Sequence, residues 1–423
     1  MEAGPPAPPQ EKVSMKLITT TAALALLAFS APAIAQAAQP AAPQSAGLVT
    51  HQPKLSKEAT KAILDLQTAI TKNDIASIPA SIAAAKSAAK TGDDRYAIGL
   101  LELKAANAVK DQAGIAVGLE DMINSGGIKP EEQLGFYQAL AQTYSNLKQP
   151  AKSLDAYQHI VSLDPKNVDA IAGLAEAKIA AGQTDAGLAL LQQGIAIQSA
   201  GGQKAPETWY ERAVAVSYKA KLPAAAAIAR QWVAAYPSPG SWHDAVAIYR
   251  NLNPTDVEGT LDLLRLQNAV GALQTPGEYA LYAESAADQM NYNEAQAVID
   301  AGVAAHIVDP SSAQIRDIVS ALKTKPKATA ADLEAAVNMS PSPTNLLHIG
   351  DRYYGMGDYA KAAEIYRQVM AKPGADKELA NLHLGIALAR AGDKAGATAA
   401  LNAVTGARAD IAKFWLVYVQ QHA

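Results

Sequence analysis

Two consecutive stretches, LLHIGDRYYGMGDYAKAAEIYRQVM from Leu346 and NLHLGIALARAGDKAGATAALNAV from Asn381 to Val404, carry one pattern. Each sets apolar residues at helical spacing, breaks at a Gly-Asp turn and resumes in an alanine-rich helix. In the first, Leu346, Ile349, Gly350 and Tyr353 mark a helix face, Gly357 the turn, and Ala362, Tyr366 and Val369 the returning face. In the second, Asn381, Leu384, Gly385, Leu388, Gly392, Ala397, Leu401 and Val404 fall at the same offsets. Small residues opposite large ones let antiparallel helices approach closely. A single such hairpin cannot bury its apolar face, so the pattern demands stacked neighbours.

Earlier segments repeat it. A unit from Glu131 carries Tyr137, Leu140, Ala141, Tyr144, Ser153, Tyr157 and Ile160, closed by Pro165, which cannot continue a helix. One 34-residue period after Tyr137 comes Ile171, followed by Leu174, Ala175, Gly182, Leu191 and Gly194. Further units begin at Trp209, Trp242 and Tyr279. Residues 51–128 read as helical hairpins with a weaker pattern, and 131–408 as the clear array. Between Asp309 and Pro343 two readings stand: a degenerate hairpin with helices near Ser311 to Leu322 and Ala328 to Val337, or a linker at Lys323 to Lys327 dividing two arrays. From Ala409 to Gln421, Ile411, Phe414, Trp415, Val417 and Tyr418 share one broad helical face. Residues 409–423 read as a helix covering the end of the array. The alternative is a free hydrophobic helix that docks to a partner or membrane.

This pattern of Leu346 to Val404 resembles the tetratricopeptide repeat. The resemblance implies an all-α fold, a solenoid of about ten stacked antiparallel hairpins wound as a right-handed superhelix, and a function of binding other proteins. Composition agrees with the helical part: 49% of residues are hydrophobic but only 5% aromatic, so alanine supplies much of the apolar count and favours close helix packing over strands.

Met15-Lys16 followed by LITTTAALALLAFSA, with small-x-small sites at Ala33-Ile34-Ala35 and Ala35-Gln36-Ala37, reads as a secretory signal over residues 1–35, translation starting at Met15. Residues 36–50, rich in Ala, Pro and Gln, form a disordered tether. No later stretch offers a membrane span. The expected location is the periplasm of a bacterial envelope.

The formal net charge of −4 gives no basic stripe for nucleic acid, and the absence of cysteine excludes disulfides, thiolate metal sites and a thiol nucleophile. No metal-binding helix signature, phosphate loop, dinucleotide-binding glycine motif or nucleophile elbow is present, so no cofactor and no catalysis are expected. The seven histidines show no i, i+4 pairing. His348 and His383 occupy the same offset in successive repeats and are placed to face one groove, without a third ligand beside them.

The resemblance implies that the first helix of every hairpin lines a concave groove. Carried onto this sequence, it places Gln138, Gln142, Asp169, Glu176, Glu207, Tyr210, His243, Arg250, Glu284, Asp351 and Tyr354 there. Acids outnumber the one arginine, so a basic or polar peptide suits the groove better than an acidic one. The leading expectation is a non-catalytic interaction scaffold that takes a peptide or partner helix. An accessory subunit of an envelope assembly or a polysaccharide or protein export machine is the alternative, and a helical enzyme the third.

Overall fold

The computed structural model describes residues 52–339 and 341–422; the expected signal segment and tether lie outside them. Twenty-one helices and no strand are found among the described residues. Paired in chain order, they begin with α1 (Lys57–Thr71) and α2 (Ile78–Ala88), α3 (Gly92–Ala108) and α4 (Gln112–Asn124), and α5 (Pro130–Asn146) and α6 (Pro150–Leu163). Next are α7 (Val168–Ala180) and α8 (Thr184–Ala200), α9 (Glu207–Lys219) and α10 (Ala225–Ala235), α11 (Pro239–Leu252) and α12 (Val257–Ala269), and α13 (Pro276–Asp288) and α14 (Tyr292–Ala304). The chain ends with α15 (Ala313–Lys323), α16 (Ala330–Asn338), α17 (Pro343–Gly355), α18 (Tyr359–Ala371), α19 (Lys377–Ala391), α20 (Lys394–Asn402) and α21 (Ala409–His422). The fold is an all-α solenoid of helical hairpins.

Local chemistry starts and stops these helices. Side chains of Thr91, Asn167, Ser238, Thr275 and Asp376 accept from backbone N–H groups of the first turn, and Pro130, Pro150, Pro239, Pro276 and Pro343 stand where a missing N–H costs nothing. The tight turns use a left-handed residue: Gly182, Gly357 and Gly392 at φ of 79°, 83° and 83°, and Lys110, Lys148, Lys221 and Met290 at the equivalent place in other hairpins. The α11–α12 and α15–α16 connections have no left-handed residue. These are the two pairs that depart from regular stacking.

Close crossings fall where the repeat pattern puts small residues. A methyl added to Gly350 would meet the Tyr366 ring at 2.5 Å, and one on Gly385 would meet Leu401 at 2.5 Å. At the α3–α4 crossing, Gly118 faces the backbone of Leu103, leaving 2.7 Å for a Cβ.

Helices α15 and α16 form close to the positions expected of a degenerate hairpin, yet they hardly touch each other. α15 lies on α13 and α14, α16 lies on α17, and α14 meets α17 directly. The physical reason is the apolar surface: α16 buries only Leu333 and α15 only Ile315 and Leu322, too little to hold a pair together. The connection is pinned instead by Asn293, whose side chain donates to the Ala328 carbonyl (3.1 Å) and accepts from the Ala328 N–H (3.0 Å).

The carboxy-terminal half also folds back on the middle of the chain. Helix α12 is buried almost all round, Leu261 to Gln267 without a break. Besides α11 and α13 it meets α21, and its polar side chains reach α14, α17 and α19. Helix α21 packs on α19 and α20 on one side and on α10 and α12 on the other.

Candidate functional site

Successive first helices lie side by side and are tied by polar side chains. Glu176 of α7 accepts from Arg212 Nε and Nη2 of α9, both at 2.8 Å, in a bidentate pair. His243 of α11 stands between Asp244 at 2.9 Å and Glu278 of α13 at 3.0 Å. Contact with Asp244 and then Glu278 outweighs burial and raises the imidazole to about 9, so it is charged at neutral pH and braces α11 against α13.

Along this face Gln138, Asp169 and Glu284 are exposed. Gln142 is half-buried and donates to Asn146 Oδ1 at 3.1 Å. Glu207 is half-buried and accepts from the Trp232 indole N–H at 3.0 Å. Beside it, burial and then the charges of Glu207 and Asp244 push the Glu211 carboxyl up. Arg250 is half-buried, and burial lowers its guanidinium against the opposing pull of Glu278. Tyr210 departs from the expected groove position: it is buried, its ring edge-on to Tyr236 at 5.8 Å. A ring of that size gains more from contact between hairpins than from water.

Asp351 and Tyr354 do project from the first helix of their hairpin, but into no open groove. The Arg265 side chain of α12 reaches over that face, and both residues are buried. At the centre is Arg265 of α12, 1% exposed, whose Nε and Nη2 donate to Glu294 at 2.8 Å each and whose Nη1 stands 3.2 Å from Asp262 and 3.7 Å from Asp351. Its guanidinium lies over the Tyr354 ring at 4.5 Å. The Tyr282 hydroxyl donates to Glu294 and the Tyr366 hydroxyl to Asp351. His383 sits between Asp351 at 2.9 Å and Asp262 at 3.3 Å, contacts of charge rather than aligned hydrogen bonds. Burial opposes its charge, but Asp351 and then Asp262 prevail and raise it to about 10. Burial likewise opposes ionisation of Asp351, and His383 and Arg265 hold its carboxyl far below the usual range. His348 Nδ1 lies 3.8 Å from Asp351, so the two equivalent histidines do converge, on a carboxylate. The small cavity beside them, lined by Glu258, Gln289, Leu347 and His348, has room for little more than a water. Among the described residues no three His, Asp or Glu side chains are placed to hold a metal ion.

The histidines give a pH signature. His383 and His243 hold protons in the folded chain that they lose above pH 6.5 when unfolded, so their stabilisation is complete below 6.5 and is lost as pH rises towards 9 and 10. The melting temperature should fall from pH 6.5 to 9, each imidazole contributing at most about 1.4 kcal/mol per pH unit. Thermal circular dichroism of His383→Gln should show a shallower slope; an unchanged slope refutes the assignment.

Asp262, Arg265 and Glu294 were not among the groove residues anticipated from the sequence. The signal available was LDLLRLQ, a leucine-rich run whose two charges would be buried and so need partners.

The family match falls on the α5–α8 segment. Residues 138–200 match the family model described as tetratricopeptide repeat. No curated protein sequence matches the chain. The match covers most of two hairpins, so this segment of the all-α solenoid is similar to tetratricopeptide repeats, which typically bind other proteins. Among the described residues no helix is long and apolar enough to cross a membrane.

Proposed function

We propose that the chain is a non-catalytic interaction scaffold that receives a peptide or partner helix on the face formed by α5, α7, α9 and α11. The observation that carries this reading is the run of carboxylates along these helices, Asp169, Glu176, Glu207 and Glu211, of which Asp169 is exposed and only Glu176 is paired with a cation. Such a face suits a guest with basic side chains. The apolar run after Met15 and its small-residue sites support export to the periplasm of a bacterial envelope.

A photo-crosslinking residue placed at Gln138 or Asp169 in the native cell should capture one discrete partner, and Glu176→Lys should abolish the adduct without loss of helical circular dichroism. Equal capture from Gln158, exposed on the second-helix face, or no capture from either face, would refute the site.

A further inference from the structure

Helix α21 is held by the features that mark a helix bound in a groove. Its anchors are adjacent aromatics, in a chain with only three phenylalanines and four tryptophans. Phe414 is fully buried, edge-on to Tyr249 at 5.5 Å and tilted against Trp242 at 6.4 Å, both on α11. Trp415, also fully buried, donates its indole N–H to the Asp262 carbonyl of α12 at 3.2 Å. Arg230 of α10 reads two positions one turn apart, pairing with Asp410 at 3.2 Å and lying over the Phe414 ring at 5.3 Å. At the far end Gln421 donates to the Val233 carbonyl of α10 at 2.8 Å. Buried aromatic anchors, an arginine and a polar rim are the composition of binding hot spots.

The receptor is remote in sequence. Trp415 and Asp262 are 153 residues apart, and Gln421 and Val233 are 188 apart. Helix α21 is the last described element and joins α20 through residues 403–408, so leaving the cleft breaks its own contacts with α10, α12, α19 and α20 but draws no later described helix with it.

We propose that the cleft formed by α10, α11 and α12 is a docking site for an aromatic amphipathic helix, which the chain fills with its own α21. The pattern recognised is an acid four residues before a Phe-Trp pair, as in Asp410, Phe414 and Trp415. This site is separate from the acidic face of α5 to α11 and does not depend on it.

The test uses the full chain with F414A and W415A and a fluorescent peptide of residues 407–422. Anisotropy should show the peptide binding the variant at least about tenfold more tightly than the native chain, whose cleft is occupied. A peptide carrying F414A and W415A should bind neither, and adding R230A to the variant should weaken binding of the unaltered peptide. The proposal falls if the variant keeps its helical circular dichroism and binds no peptide, or if both peptides bind alike. It falls also if the variant loses helix throughout the array, because α21 is then an integral part of the core.

Discussion

Arg265→Ala should cost about 3–5 kcal/mol, the range for removing one partner from a buried ion pair. Asp262, Glu294 and Asp351 are each nine-tenths buried or more, and with Arg265 gone Glu294 loses its cationic partner while Asp262 and Asp351 keep just the histidines beside them. The loss should be read as a lower midpoint in urea. Arg265→Lys should recover little of it, since an ammonium cannot make the two parallel 2.8 Å bonds to Glu294 or lie flat on Tyr354. Arg265→Met together with Glu294→Gln should be milder than Arg265→Ala, because it removes one of the stranded charges. A midpoint for Arg265→Ala within error of the native one would show that the cluster does not hold α12 in place.

Gly118→Val should be the second most damaging single change, at about 3 kcal/mol, near the top of the usual range for overpacking. What a side chain at Gly118 would strike is the Leu103 amide and Cα and the Gly99 carbonyl, at 2.7 to 3.0 Å. Backbone cannot rotate away, so α3 and α4 must separate along their length. Gly385→Ala should cost less, since much of its clash is with the movable end of Leu401. Urea titrations of both variants check the order; equal effects would mean that α3 and α4 shift apart freely.

The helical hairpins were legible because their cause is local. Gly350 with Tyr366 and Gly385 with Leu401, the small and large partners of the repeat, meet in the structure as their spacing requires. The positions of α15 and α16 followed from the same periodicity. What could not be read was their failure to pair, which depends on how little apolar area each presents to the other. Nor could the covering of Asp351 and Tyr354, since it is decided by the return of α12, α17 and α19 to one place, and repeat spacing carries no record of contacts beyond the next hairpin. Two clues were present: the charged pair inside LDLLRLQ, and Asn253-Pro254 where other hairpins turn through a left-handed residue. His348 and His383 were legible as a facing pair, but the carboxylate between them came from an expected groove residue, Asp351.

The return of α21 to α10 and α12 changes how the chain should fold and come apart. A solenoid whose repeats touch only their neighbours behaves as a one-dimensional chain and can fray from either end. Here contacts spanning 153 and 188 residues join the last helix to the middle, so the segment from α10 to α21 is a closed circuit. While α21 is seated, such a circuit has no free end to fray, and it must close a long loop before its contacts form, which slows folding and makes unfolding cooperative. Among the described residues, the helices from α1 to α9 make no such return contact. Amide exchange should therefore divide the molecule into a graded amino-terminal half and a carboxy-terminal half in which α10 to α20 open together once α21 has left its cleft.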